Sequence, residues 1–287
     1  MGALAALVTM GLYAANFVFT RFSLLEGLAP GDLVALRYAV SGALLLPWVA
    51  SRGLRSLGGV GWTRGVVLAC LAGAPYMLLF NGGLEFSPAA HGAVLNPGTV
   101  PIVVSIGVLL LGGPAISVPR AVSLVVIVPG LVLVTSASFS MQDSVLLGDL
   151  LLLASGISWG TFTVLLKRWS VRPLDAAAVV SVLSMVYLPI HFLFADTALG
   201  SVSLSHVMMQ GMFQGIVMSV GTLYLIAFAI ERLGAEHASL FSPLVPLMTL
   251  AVSIPILGEE PASRQWLGVL IVVAGMAGAA YSSTRRA

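Results

Sequence analysis

Tyr76 and Phe80 stand four residues apart, and Trp159 and Phe162 three apart, spacings that set each pair on one face of a helix. Facing one another, they would build an aromatic wall for a flat apolar group, since tilted or edge-to-face ring pairs add about 0.5–1.5 kcal/mol beyond burial; ordinary core packing is the alternative. Asn16, Asn96, Thr163, Gln210, Gln214, Thr222 and Ser242 are polar groups in apolar surroundings. Each needs a hydrogen-bond partner, which either a neighbouring helix or the amino and carboxylate groups of a solute can supply. Arg37 is read first as a structural or gating residue that snorkels to the outer interface or bonds the carbonyls of a broken helix; holding a substrate carboxylate bidentately is the alternative. His91 and His237 suit proton transfer near neutrality or the anchoring of helix ends. Gly156-Ile157-Ser158-Trp159-Gly160 reads as a nucleophile motif, G-x-S-x-G, and also as a G-x-x-x-G packing face.

The elements that carry these residues follow from composition. Hydrophobic residues make up 59% of the 287 and charged ones 8%, with a mean hydropathy of +1.05, so lipid is the solvent. Apolar runs of about 20 residues without alternation mean helices and not a barrel. Ten spans are predicted: 4–24, 31–50, 63–84, 88–111, 117–137, 145–166, 173–195, 206–230, 235–257 and 264–284. The loops between them leave no room for a nucleotide-hydrolysing module. The first span lacks a basic n-region and a cleavage site and reads as a retained helix. Cys70 is the sole cysteine, so disulfides and cysteine metal sites are excluded, and no metal or other cofactor is expected. Loop arginines account for the pI near 8.9; they report membrane orientation, not a nucleic-acid partner.

The chain also repeats itself. A shift of 146 positions lays Glu85 on Glu231, Ala89 on Ala235, His91 on His237, Pro97 on Pro243 and Gly112 on Gly258. The two units are taken as residues 1–140 and 145–287, joined by an exposed linker over Ser138–Ser144. Five spans per unit is an odd number, so the second unit enters the membrane from the opposite side, the plan of many secondary transporters. Arg52, Arg55, Arg64, Arg120, Lys167, Arg168, Arg172, Arg232, Arg285 and Arg286 fall on one side, leaving Arg21 and Arg264 on the other; both termini are therefore expected in the cytoplasm. Pro97 and Pro243, each followed by a second proline within four residues, mark the fourth and ninth spans as inward-facing structural or gating elements, with plain helix bends for packing as the alternative. Gly268, Gly275 and Gly278 give the last span a small-residue face that could pack internally or pair two copies.

Tyr13-Ala14-Ala15-Asn16-Phe17 with Arg21, Ser158-Trp159-Gly160-Thr161-Phe162 with Lys167, Arg37 in the second span and Leu257-Gly258-Glu259 after the ninth together resemble the drug/metabolite transporter superfamily, in its ten-helix branch of two EamA-type units. Tyr13 stands where tryptophan is usual, and the first unit reads Leu111-Gly112-Gly113 without the glutamate. The resemblance covers nearly the whole chain and is closest in look to aromatic amino-acid exporters. It implies an all-α membrane protein of two inverted five-helix repeats, a non-enzymatic secondary transporter of the bacterial cytoplasmic membrane, working by alternating access as monomer or homodimer on a small-molecule substrate, an amino acid first of all. Another metabolite or drug, a passive channel, or an intramembrane hydrolase using Ser158 are the alternatives. The resemblance adds Tyr13 and Phe17 to the candidate substrate-binding residues, which then comprise Tyr13, Asn16, Phe17, Tyr76, Phe80, His91, Asn96, Trp159, Phe162, Thr163, Thr222, His237 and Ser242.

Overall fold

A computed structural model describes residues 1–138 and 143–284; residues 139–142 of the expected linker, and Arg285 and Arg286, lie outside them. Ten helical spans are long and apolar enough to cross a membrane: Gly2–Leu25, Pro30–Ser51, Trp62–Phe86, Ala89–Leu110, Val118–Ser136, Ser144–Arg168, Pro173–Phe194, Leu204–Leu233, His237–Leu257 and Ser263–Ser282, here spans 1 to 10. Each begins and ends within three residues of its predicted bounds. Local chemistry sets the ends. Pro30 occupies the first turn of span 2, where its missing N–H costs nothing, while the Asp32 carboxylate accepts from the Ala29 N–H at 3.1 Å. The repeat-related Gly112 and Gly258 follow spans 4 and 9 with φ of 75° and 66°, the left-handed conformation that closes a helix and that glycine adopts at least cost.

The principal packing contacts run between the repeats. Span 5 lies on span 10, span 2 on span 7, span 4 on span 6, span 1 on span 9, span 3 on span 6, and span 1 on the second half of span 8. Exchanging each span for the one five places along returns the same set: 4 on 6 becomes 9 on 1, and 3 on 6 becomes 8 on 1. The two repeats are thus related by a pseudo-twofold exchange, and the odd span count makes their directions opposite. Glycines allow the closest approach. A Cβ on Gly268 would stand 2.9 Å from the Gly130 carbonyl oxygen and one on Gly130 2.9 Å from that of Gly268, while Gly275 and Gly278 abut Ser123. The small-residue face of span 10 is therefore used internally, against span 5.

Four spans are interrupted, and the interruptions matter for function. Span 3 breaks at Gly73, between helices Trp62–Ala72 and Ala74–Phe86. Three other spans take up the released backbone groups: the Tyr38 hydroxyl donates to the Ala72 carbonyl at 3.3 Å, Ser158 Oγ donates to that of Leu71 at 2.7 Å, and the Ala74 N–H donates to Ser184 Oγ at 3.1 Å. Such backbone is tolerated at membrane depth only when protein satisfies it. Span 7 breaks after Ser184, where Pro189 removes the N–H that would have reached Met185. Span 8 contains a π-helical stretch, Phe213–Gly221. Span 9 breaks between Ser239 and Leu244; there Pro243 deprives the Ser239 carbonyl of its helical donor, and the hydroxyl and N–H of Ser242 replace it at 2.9 and 3.1 Å. Pro97, at the matching position of the first repeat, lies inside the uninterrupted helix Ala89–Leu110. Pro97 and Pro243 thus differ in outcome: one is absorbed within a helix and the other stands at a break.

Candidate functional site

The predicted aromatic residues form one connected row. Phe17 and Phe80 rings are 5.1 Å apart between centroids, Phe80 and Tyr76 6.1 Å, Tyr76 and Trp159 5.3 Å, and Trp159 and Phe162 5.2 Å, all tilted. Helical spacing puts Tyr76 and Phe80 on one face of the second segment of span 3 and Trp159 and Phe162 on one face of span 6. The contact between these two spans then joins the pairs into a row that crosses from one repeat to the other. Phe17, Phe80 and Phe162 are buried, whereas Trp159 keeps 37% of its surface exposed. An aromatic row with one open ring is what a stacking surface requires.

Arg37 lies beside this row. Its Nη1 donates to Gln214 Oε1 at 3.0 Å across the boundary between repeats, and Tyr13, Tyr38 and Tyr76 all stand within electrostatic reach of its guanidinium. Tyr13 neighbours Thr222, and Tyr76 neighbours Asn96. Gln214 sits on the π-helical stretch of span 8, a feature often found at functional positions, and its amide donates to Thr20 Oγ1 at 3.1 Å. Asn16 Oδ1 and Arg37 Nε are buried without a hydrogen-bond partner. Asn96 donates to Ser155 Oγ at 2.7 Å. Thr222 and Thr163 spend their hydroxyl protons on the carbonyls one turn back, Met218 and Trp159, as Ser242 does on Ser239. Tyr13 and Tyr76 are thus within electrostatic reach of Arg37 and have Thr222 and Asn96 as their own neighbours, while Tyr76 also joins the row of Phe17, Phe80, Trp159 and Phe162.

The histidines are elsewhere. His91 is 1% exposed at the start of span 4, with both ring nitrogens engaged: Nδ1 with Asp149 Oδ1 at 2.8 Å and Nε2 with Gln265 Nε2 at 2.6 Å. Gln265 Oε1 accepts from the Ala262 N–H at 2.6 Å, so its amide nitrogen must be the donor to His91. The ring is then neutral at Nε2 and carries its proton on Nδ1, which donates to Asp149; the same Oδ1 accepts from Ser87 Oγ at 2.7 Å. A second pair joins His191 Nε2 to Asp32 Oδ1 at 2.8 Å, with Thr197 Oγ1 and the Ala198 N–H also donating to Asp32. A third bridges His206 Nε2 and Ser23 Oγ at 2.9 Å. All three lie at the end of the bundle where odd-numbered spans finish, and each joins one repeat to the other. His237, by contrast, is exposed at the opposite end. Asp32 and Asp149 are at span ends, as their sequence positions suggest, but both are 0% exposed, and His191 is a partner the sequence reading does not single out.

Two of the motif residues, Arg21 and Glu259, share that end. Arg21 Nη1 donates to the carbonyls of Leu84 and Glu85 as span 3 finishes, at 2.7 and 2.6 Å, and the Glu259 carboxylate accepts from the Ala89 and Ala90 N–H groups as span 4 begins, at 2.6 and 3.2 Å. A cation on a helix C-terminus and an anion on an N-terminus complement both dipoles. Ser158, the candidate nucleophile, donates to the Leu71 carbonyl, while Gly156 and Gly160 abut Asn96, Thr99 and Val103 of span 4; these three residues pack helices.

Comparison with the curated proteins gave no match. A solved structure described only as "Crystal structure of protein" matches 99% of this chain and 98% of its own, with a TM-score of 0.64 at 16% identity, a likeness of fold alone. The model of the EamA-like transporter family matches twice, at residues 1–136 and 146–281. Ten spans in two exchangeable repeats, with that double match, place the chain in the EamA-like transporter family.

Proposed function

We propose that this membrane transporter exports amino acids, aromatic ones first, across the bacterial cytoplasmic membrane by alternating access, with both termini in the cytoplasm. The observation that carries the reading is the row Phe17–Phe80–Tyr76–Trp159–Phe162, which passes between the repeats beside Arg37. Rings in this arrangement suit a flat apolar side chain, and the polar groups around Arg37 suit the charged backbone end of an amino acid. Alternating access fits the packing, because contacts between repeats can exchange as the bundles rock against each other around a central site. The far-end networks, each spanning both repeats, are the contacts such rocking has to break.

The test is flux of radiolabelled L-phenylalanine, L-tryptophan and L-alanine into proteoliposomes, without ATP. Concentration-driven uptake of the aromatic pair above alanine supports the reading. Trp159→Ala and Tyr76→Ala are expected to cut uptake by about tenfold or more, since each removes a stacking partner of about 0.5–1.5 kcal/mol plus its buried area. Unaltered uptake in both variants would eliminate the aromatic site.

A further inference from the structure

Arg37 carries a full positive charge one-third of the way along span 2, with no carboxylate in ion-pair range among the described residues. Charges in that setting are expensive and face a partner or a wet space. The two buried carboxylates nearest in sequence or at the same end are spoken for: Asp32, five residues away, accepts from Ala29, His191, Thr197 and Ala198, and Asp149 accepts from His91 and Ser87. What the fold does offer Arg37 is neutral. Gln214 Oε1 takes one N–H, Nε has no partner, and Tyr13, Tyr38 and Tyr76 lie within electrostatic reach of the charge. The guanidinium edge made by Nε and Nη2 is the one that grips a carboxylate with two parallel hydrogen bonds. A glutamate in place of Gln214 would have neutralised the charge; the amide holds the guanidinium in position and leaves its charge available.

Resting on the transport reading above, we propose that Arg37 is the subsite for the substrate's carboxylate and that the protein selects carboxylates over their uncharged or cationic analogues. Tyr76 belongs to the ring row and lies within electrostatic reach of Arg37, so a solute held at Arg37 by its carboxylate has the ring row close to the rest of its body. Gln214 acts as the positioning residue, held in turn by Thr20.

The experiment uses the full chain in proteoliposomes, with L-phenylalanine and L-phenylalaninamide as probes, and compares wild type with R37Q and Q214E. Wild type is expected to favour the acid. R37Q removes the fork, and Q214E is nearly isosteric and supplies an internal carboxylate about 3 Å from Arg37, so it retains the fold while competing with the substrate. In both, the acid-over-amide preference should fall about 10- to 100-fold, the value of a hydrogen bond to a charged group. Retention of the wild-type preference in Q214E, or equal handling of acid and amide by wild type, overturns the carboxylate subsite and leaves the transport reading standing. Failure of wild type to carry either probe overturns both.

Discussion

Replacing Asp149 by asparagine and by leucine separates two physical pictures of the buried network at the start of span 4. Asp149 Oδ1 receives both Ser87 Oγ at 2.7 Å and His91 Nδ1 at 2.8 Å. The Gln265 amide, oriented by the Ala262 N–H, fixes His91 as a neutral ring that donates from Nδ1. In this picture the network needs an acceptor at that oxygen more than it needs a charge. Asp149→Asn keeps the oxygen and should cost about 0.5–1.5 kcal/mol, the difference between charge-assisted and neutral hydrogen bonds. Asp149→Leu leaves the buried His91 Nδ1–H without its acceptor, about 1–3 kcal/mol, whereas Ser87 Oγ keeps the Val145 carbonyl at 2.9 Å. The other picture is an ion pair between a carboxylate and an imidazolium, where loss of the charge alone costs about 3–5 kcal/mol. Reversible unfolding of the purified protein in mixed micelles, followed by circular dichroism for wild type and both variants, measures the two steps. An asparagine variant as damaged as the leucine one would refute the neutral-ring assignment and with it the direction of every hydrogen bond from Ala262 to Asp149.

Two further perturbations test the packing. Gly268→Val forces side-chain atoms where even a Cβ would stand 2.9 Å from the Gly130 carbonyl, so it should destabilise the fold by about 1–3 kcal/mol or more in the same unfolding assay; neutral behaviour would mean that spans 5 and 10 do not make this contact. Tyr38→Phe removes the hydroxyl that serves the Ala72 carbonyl at the break in span 3, an expected loss of about 1–3 kcal/mol, whereas a variant as stable as wild type would show that the carbonyl finds another donor.

The spans were legible because a hydrocarbon core imposes one length on all of them and because a chain so poor in charge marks its loops plainly. The aromatic row was legible for a local reason: Tyr76 and Phe80, or Trp159 and Phe162, share a face by helical spacing alone, and only the meeting of the two faces needed the fold. Gln214 could be identified as a polar group in need of a partner, yet that partner, Arg37, lies 177 residues away in sequence, and no periodicity connects them. The break at Gly73 was illegible because glycine is common in membrane helices; what permits the break is the convergence of Tyr38, Ser158 and Ser184 from three other spans. Asp32 and Asp149 read correctly as end residues, but a position near an interface does not reveal that His191 and the backbone at Ala198, or His91 and Ser87, will enclose them. Pro243 and Pro97 carry the same local signal and differ in outcome because Ser242 stands ready to take the Ser239 carbonyl beside one of them.

The repeat is symmetric in its backbone and not in its polar groups, and that has a consequence for the proposed cycle. Under the 146-residue shift the counterparts of Asp149, Asp32, His191 and Glu259 are Ala3, Ala178, Leu45 and Gly113, so none of the far-end networks is reproduced at the near end. There Asp175 instead gathers Trp48, Arg52 and Arg172 at 3.1, 3.1 and 2.8 Å, with both arginines partly or largely exposed. Exposed ion pairs contribute about 0–1 kcal/mol, whereas each fully buried polar contact costs about 1–3 kcal/mol when broken without replacement. In the proposed cycle, the polar contacts alone would therefore make the far end costlier to open than the near end. Arg37 is unpaired by the same symmetry, since its counterpart is Leu183; the central region holds a single positive charge and not two. Tyr13 and Trp159, by contrast, occupy equivalent positions, so the rings follow the repeat while the charge does not. If the proposed alternating access holds, both orientations would share the ring row and the single Arg37 charge, and the two ends would differ in the polar contacts that each opening breaks.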